Sequence, residues 1–485
     1  NMIEQGVSAV AVCLLHSTVN PEHECAVADV ITARFPDLLV SLSHQVDPAP
    51  GEYERFLATA LDAYIKPMAM AYLSDLSSQL NTAGLPAPEI VTSDATVVTA
   101  ADAARMPLRL AMSGPAAALR GFEALTRRHQ NTGRTTSITL ETGGTTSDIG
   151  MIRRGELTSG RNLDIGHLAI RQRSVDISST AIGGGSILRV NEAGALRVGP
   201  DSAGSDPGPA ALVVLGRLPD SLAGGINLDT GAAKSVMMEI ARPLGCDINT
   251  ASEAAVATAA TAIAEAMKSH AFRRGIDPAE AILMVGGGGG GQHAAEAAEL
   301  AGIETALVIA QAAIISAAGC LACYPVSASE KSLLQELTEA AFSELCTEAL
   351  QTGRDLTGDN PARCLLDIAY RGQQSPIEIP FDPEQDSLSD ISERFDRAHE
   401  TLRGHAGGKS RILHRLRVEK PRNIPEVTAE TSVAPHTNHT SPFPESGTGP
   451  QSLFSDRTSI WVPRGWNWQR LDGGDILLSQ EKRAA

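Results

Sequence analysis

Apolar and polar positions alternate in blocks along the chain, and the blocks predict strands interleaved with helices. Residues 7–15 form a short apolar run ended by His16 and Ser17, the pattern of a buried strand. Asn20-Pro21-Glu22 then sets a proline at a first helical position with an acid beside it. A helix is predicted from there to about Arg34, where Phe35-Pro36 stops it. Residues 38–42 read as the next strand. Residues 52–83 carry Leu, Ala and Met at i, i+3 and i+4 spacing. They predict a long helix interrupted near Lys66-Pro67, because proline has no N–H to give. Gly84, Pro86 and Pro88 end it, residues 90–98 read as strand, and Ser113-Gly114-Pro115 caps a helix over 112–128.

The middle of the chain is punctuated by glycine. Residues 135–140 are a β-branched strand that runs into Glu141-Thr142-Gly143-Gly144-Thr145-Thr146-Ser147-Asp148, and 149–152 resume as strand. This is a hairpin with a polar tip. Gly183-Gly184-Gly185-Ser186 opens a short helix or turn, and 197–209 read as a turn-rich loop. An Ala-rich helix covers 251–274. Residues 281–285 are a buried-type strand feeding six glycines, 286–291, followed by a helix over 292–301, a strand over 304–309 and a small-residue helix over 311–323. Beyond about Ser327 two amphipathic helical stretches, 330–353 and 387–403, flank strand-like 363–371 and 377–379. Residues 428–459 are rich in Pro, Ser, Thr and His and read as a flexible linker. The tail over 460–478 holds all three Trp and reads as a small β element.

Composition narrows the function classes. A chain of 485 residues predicts two to four domains at roughly 100–200 residues each. Lys plus Arg is 40 and Asp plus Glu is 57, so the net charge is 40 − 57 = −17, which speaks against an electrostatic grip on nucleic acid or an anionic membrane. No run reaches the ~18–20 apolar residues of a bilayer span. The start, Asn1-Met2-Ile3-Glu4-Gln5, lacks the basic residues of a secretory signal. Seven Cys without regular spacing predict a reducing, cytoplasmic setting. Cys320 and Cys323 form a C-x-x-C with no second pair, and read as buried helix thiols rather than a zinc or redox site. His436 and His439 have no acid or Cys pattern beside them and predict no metal site.

The glycine turns carry the candidate chemistry. Gly143 and Gly144 let backbone N–H groups crowd around a phosphate, since no Cβ blocks them. Thr145, Thr146 and Ser147 add hydroxyls, and Glu141 and Asp148 flank the turn as acceptors suited to a hydrated Mg²⁺. The same residues also describe an ordinary Gly-Gly hairpin with a solvated tip. Residues 286–291 place a glycine turn between a strand and a helix N-terminus, a nucleotide-binding geometry. Six glycines lose much backbone entropy on ordering, which speaks against a turn with no ligand. Their G-x-G-x-x-G match is trivial in a glycine run. Residues 183–186 read either as a third wall of the same cleft or as a close-packed turn.

Taken in order, several stretches resemble one family. They are Gly51-Glu52-Tyr53-Glu54-Arg55, Ser113-Gly114-Pro115-Ala116, Thr142-Gly143-Gly144-Thr145-Thr146-Ser147-Asp148, Gly183-Gly184-Gly185-Ser186-Ile187, Val198-Gly199-Pro200-Asp201-Ser202-Ala203-Gly204-Ser205-Asp206-Pro207-Gly208-Pro209, the glycine turn with His293, and Ile315-Ser316-Ala317-Ala318-Gly319. From residue 1 to about 420 the chain resembles the A-subunit of ATP-dependent hydantoinases and oxoprolinases, a group that includes acetone and acetophenone carboxylase subunits. The stretch over 198–209 is the most specific.

The resemblance implies an α/β, actin-like (ribonuclease H-like) ATPase fold with two lobes around a nucleotide cleft. It is expected to be N-terminally incomplete and to carry a small α+β C-terminal domain. The implied division is 1–52 as the rest of an N-terminal lobe, 53–326 as the ATPase core, 327–427 as the C-terminal domain, 428–459 as linker and 460–485 as β tail. It implies that ATP is held by Gly143, Gly144, Thr145, Thr146, Gly184, Gly185, Ser186, Gly287, Gly288 and Gly290. Glu141 and Asp148 would be catalytic and would hold Mg²⁺ (or Mn²⁺). A hydantoinase B-type subunit would complete a cytoplasmic hetro-oligomer acting on a small molecule, with no nucleic acid and no membrane involved. In such enzymes ATP phosphorylates a carbonyl oxygen of a cyclic amide or ketone enolate, for ring-opening hydrolysis or carboxylation.

Three departures accompany the likeness. No Asp-x-Gly-Gly-Thr loop precedes Val7. Ser178 stands in a usual His place after Asp176-Ile177. The family's Cys-Tyr-Gly segment is missing after Ala210. The missing loop and the missing segment motivate a second expectation, a truncated non-catalytic remnant acting as scaffold or partner. A third, an actin-fold small-molecule kinase, shares the fold but not the 198–209 signature.

Overall fold

The β-branched run after residue 135 becomes the strand Thr136–Thr142, and the chain doubles back as Ser147–Arg153 in antiparallel register, with Glu141 opposite Asp148 and Thr142 opposite Ser147. In the computed structural model the described residues are 3–126, 135–165, 168–202, 209–222, 225–358, 362–373, 375–407, 409–420, 444–455 and 458–481. They form a mixed α/β fold of two units, each built from separated stretches of chain. Asn1–Ser113, Gly160–Ser174 and Cys323–Pro425 make the first unit; Gly114–Ser159, Val175–Ala322 and Glu426–Ala485 make the second. No helix among the described residues is long and apolar enough to cross a membrane.

The second unit is organised on one sheet. Its strand order is Ile177–Thr180, Ser147–Arg153, Thr136–Thr142, Ile282–Gly286, Thr305–Val308, Ile476–Gln480, Trp466–Arg470 and Ser446–Thr448. Ile282–Gly286 pairs in parallel with both neighbours and is buried along its whole length, as a near-continuous apolar run requires. Helices Ile248–Phe272 and Gly290–Ala301 pack together beside it. The core is aliphatic, with Ile138, Leu140, Ile263, Leu283 and Val285 buried, and Trp466 and Trp468 join it from the tail.

In the first unit, Ala9–Val12 and Leu39–Leu42 pair in parallel through the crossover helix Glu22–Arg34. The helix Glu52–Thr82 runs unbroken through Pro67, where the sequence predicts an interruption. Proline removes one N–H bond. The loss is offset because Ala58, Thr59, Asp62, Ala63, Lys66 and Leu73 bury one face of the helix, which packs on both strands. A four-stranded antiparallel sheet, in the order Ala328–Glu336, Arg411–Glu419, Arg363–Tyr370 and Ile377–Phe381, carries the helices Glu339–Thr357 and Leu388–Arg403.

Several predicted elements change type. Residues 330–353 are not one helix. Ala328–Glu336 is an edge strand paired along its length with Arg411–Glu419, and the helix starts only at Glu339, capped by the Thr338 hydroxyl. Pairing with a neighbour overrides the local pattern there. The turn at 183–186 leads into the strand Ser186–Val190. That strand pairs with Leu196–Ser202, a strand inside the predicted loop, whose residues 203–208 lie outside the described ones. Strands Ser446–Thr448 and Gln451–Phe454 lie within the stretch read as linker; His436 and His439 lie outside the described residues. Cys323 is buried, but Cys320 is exposed, so the C-x-x-C is not a pair of buried thiols. The helix ends at Ala322, so Cys323 lies just past it and does not continue the helical face that carries Cys320.

Candidate functional site

The hairpin tip over residues 142–147 is the meeting point of the three glycine turns. Gly143 closes the tip by donating its N–H to the Thr146 carbonyl at 2.9 Å. The 183–186 turn lies directly against it. Gly184 N–H donates to the Gly143 carbonyl at 3.0 Å, and Gly185 N–H to the Gly144 carbonyl at 2.6 Å. Ser186 Oγ accepts from Gly183 N–H at 2.9 Å and shapes that turn. A Cβ on Gly183 would stand 2.6 Å from the Thr145 nitrogen, so only glycine permits this approach.

The long glycine run meets the tip from the parallel neighbour strand. Gly287, at φ +77, has the left-handed backbone that favours glycine, and any Cβ there would collide with the Thr142 carbonyl. Gly289 N–H donates to that carbonyl at 3.1 Å. The last two glycines, Gly290 and Gly291, are already helical, so the N-terminus of Gly290–Ala301 is brought up to the hairpin. Gly288 is exposed and faces open space. Among the described residues, the N–H groups of Gly144, Thr145 and Gly288 have no backbone acceptor. A helix N-terminus with free N–H groups beside it attracts an anion.

Two carboxylates face each other across this turn. Antiparallel register places Glu141 and Asp148 on one face of the sheet. Burial pushes the Glu141 carboxyl up to about 7, against the Ser316 hydrogen bond, and the Asp148 charge adds to the rise. Ser316 Oγ donates to Glu141 Oε1 at 2.5 Å. Burial also raises Asp148, opposed by hydrogen bonds from Ser179 and Thr146. Asp148 Oδ1 is buried and has no hydrogen-bond partner. Among the described residues neither acid pairs with a Lys or Arg. Two adjacent carboxylates with an orphaned oxygen and no cation fit one hydrated Mg²⁺, which binds through one or two carboxylates plus phosphate and water. They do not fit a dedicated protein cage, since no group of three or more His, Cys, Asp or Glu gathers among the described residues.

Beside the 183–186 turn lies a cavity of about 110 Å³, walled by Gly183, Gly184, Leu188, Val256, Ala259 and His293. Burial holds His293 down at about 4, so it is neutral at pH 7, and its buried Nδ1 has no partner. His293, Ser316 and Ser179 are absent from the expected site residues. For two of them a signal existed, because His293 and Ser316 sit in the quoted motifs. Nothing local marks Ser179. Ser178, in the usual His place, instead shares a 2.7 Å hydrogen bond with His270 Nδ1.

The ordered motifs and this geometry agree with what the chain is similar to. It is 27% identical to the caprolactamase subunit alpha of Pseudomonas jessenii over 432 residues, covering 82% of this chain and 62% of that protein. It is 29% identical to the 5-oxoprolinase of Saccharomyces cerevisiae over 450 residues, covering 84% of this chain and 34% of that protein. The chain thus spans about three-fifths or less of these relatives. The crystal structure of the ATP-dependent caprolactamase from Pseudomonas jessenii shares the fold, with a TM-score of 0.79 at 22% identity, covering 99% of this chain and 78% of that one. The N-terminal region model of the hydantoinases and oxoprolinases matches residues 1–35. With the main hydantoinase/oxoprolinase model matching residues 55–328, which hold all three glycine turns and both carboxylates, the chain belongs to the hydantoinase/oxoprolinase family.

Proposed function

We propose that this chain is the nucleotide-handling subunit of an ATP-dependent hydantoinase or oxoprolinase, activating the carbonyl of a cyclic amide (or ketone enolate) by phosphorylation. One observation carries the reading: three glycine turns converge on a hairpin tip that holds two half-buried carboxylates and, among the described residues, no Lys or Arg paired with them. Free N–H groups at Gly144, Thr145 and Gly288, with the positive end of helix Gly290–Ala301, suit a polyphosphate. Thr145 and Thr146 add hydroxyl donors. The apolar cavity beside Gly183 and Gly184 suits a purine, with the neutral His293 as its polar contact. Glu141 and Asp148 would hold Mg²⁺ or Mn²⁺, which supplies neutralisation of phosphate charge. Ser316 and Ser179 orient the two carboxylates.

The names of relatives, one of them a subunit alpha, support assembly with a second chain, and a B-type hydantoinase subunit is the proposed partner. Isothermal titration with Mg-ATP tests the reading. Saturable binding is expected, weakened at least tenfold by Asp148→Asn. No heat at millimolar nucleotide with the partner present overturns it.

A further inference from the structure

The crossover of the first unit brings a thiol, an imidazole and a carboxylate together. Helix Glu22–Arg34 connects the two parallel strands, and the second strand, Leu39–Leu42, passes straight into the short helix Ser43–Val46. Glu24, in the first turn of the crossover helix, is therefore held beside Ser43 and His44. It is fully buried and accepts four hydrogen bonds: from Leu14 N–H at 2.8 Å, Ser43 Oγ at 2.5 Å, His44 N–H at 3.1 Å and His44 Nδ1 at 2.7 Å. Burial alone would raise this carboxyl, but the bonds from Ser43, Leu14 and His44 hold it at about 2.

The protonation pattern of His44 follows. An ionised carboxylate only accepts, so the Nδ1 bond requires a proton on Nδ1. In the neutral imidazole the lone pair is then on Nε2, and Nε2 faces Cys25 Sγ at 4.0 Å. That separation is loose, as such pairs are before a reactant binds. Cys25 is half-buried, and it too lies in the first turn of the helix, where the backbone dipole favours negative charge developing on sulfur. A thiol facing a base, with the base oriented by a carboxylate, is the arrangement that activates a nucleophile.

We propose that Cys25 is a reactive thiol, a modification site for soft carbon electrophiles, with His44 as its base and Glu24 as the residue that positions His44. Attack forms an S–C bond and expels the leaving group with its electron pair, while the thiol proton passes to His44 Nε2. With iodoacetamide the products are the carbamidomethyl thioether, iodide and a protonated His44.

The other cysteines provide the control. Cys320 is exposed, but burial of its sulfur raises its thiol. Accessibility alone therefore ranks Cys320 first, whereas activation ranks Cys25 first. Brief iodoacetamide labelling of the native protein, read by peptide mass spectrometry, decides between them. Cys25 is expected to label at least threefold faster than Cys320. His44→Ala should slow Cys25 tenfold or more without changing Cys320, and added imidazole should restore part of the rate. His44→Gln, which keeps a polar side chain at this site, should slow Cys25 as His44→Ala does. At Glu24, isosteric Gln preserves shape and Asp preserves charge, so the expected order of Cys25 rates is wild type, Glu24→Asp, then Glu24→Gln. A Cys25 rate at or below that of Cys320, or one unchanged in both His44 variants, overturns the proposal. The reverse order at Glu24 overturns its positioning role.

Discussion

Glu141, at the glycine-rich hairpin, and Glu330, on the edge strand of the four-stranded sheet, are the same side chain in two settings that move it in opposite directions. Glu330 accepts from both Arg415 and Arg417, with Arg173 adding its charge, and is held at about 2 despite desolvation. Around it Arg415 also meets Asp367 at 3.0 Å, Arg417 meets Glu419 at 2.5 Å, and Arg173 meets Glu378 at 2.7 Å. Every acid there has its guanidinium. Glu141 has a serine hydroxyl and a second acid for neighbours, and rises to about 7. Where the fold keeps a permanent charge it supplies the counter-ion from its own chain. Where it leaves two acids without one, the neutralising charge has to arrive from solution. That contrast, rather than burial, supports the hairpin as the proposed ligand site.

The contrast can be broken from the arginine side first. Arg415→Met keeps the volume but removes a guanidinium that Glu330 and Asp367 share, and should cost about 1.5–3 kcal/mol in denaturant unfolding at pH 7. Because Glu330 is depressed, its contribution is present above the ordinary carboxylate value of 4.5 and is lost as pH falls toward about 2, so the penalty should shrink in acid. A penalty that is flat with pH would show that the arginines only fill space. At the hairpin the sign reverses. Between 4.5 and about 7 the folded protein keeps a proton on Glu141 that the unfolded chain has released, so stability falls as pH rises through that window. Glu141→Gln should remove this slope and stabilise the protein at pH 8 by about 1–2 kcal/mol while weakening Mg-ATP binding. A destabilised Gln variant would mean that Glu141 is a structural acid like Glu330. The smallest effect belongs to the solvent-exposed pair Arg105–Asp102, whose loss in Arg105→Ala should leave the unfolding midpoint unchanged.

The hairpin itself was legible in the sequence, because β-branched residues on both sides of a Gly-Gly turn impose antiparallel register and so force Glu141 opposite Asp148. The approach of Gly287 was foreshadowed in the same way, since a strand–glycine–helix junction places its turn at the end of the sheet. The carboxylates' partners were not legible. Ser316 is 175 residues from Glu141, and no local pattern encodes such a contact. Ala328–Glu336 misled because an exposed edge strand lacks the apolar alternation that marks a strand, and its identity comes from Arg411–Glu419 beside it. Pro67 misled in the other direction, since burial of one helix face outweighs one missing hydrogen bond.

The sheet order has a consequence for synthesis. Thr305–Val308 takes its outer neighbour from Ile476–Gln480, so the ribosome makes an apolar strand and its partner about 170 residues apart. At about 5–20 residues per second the nascent chain carries that open edge for some 10–30 s. A stop codon anywhere before Ile476 would make the exposure permanent, so a truncation that removes Ile476–Gln480 would harm solubility before it touched any ligand.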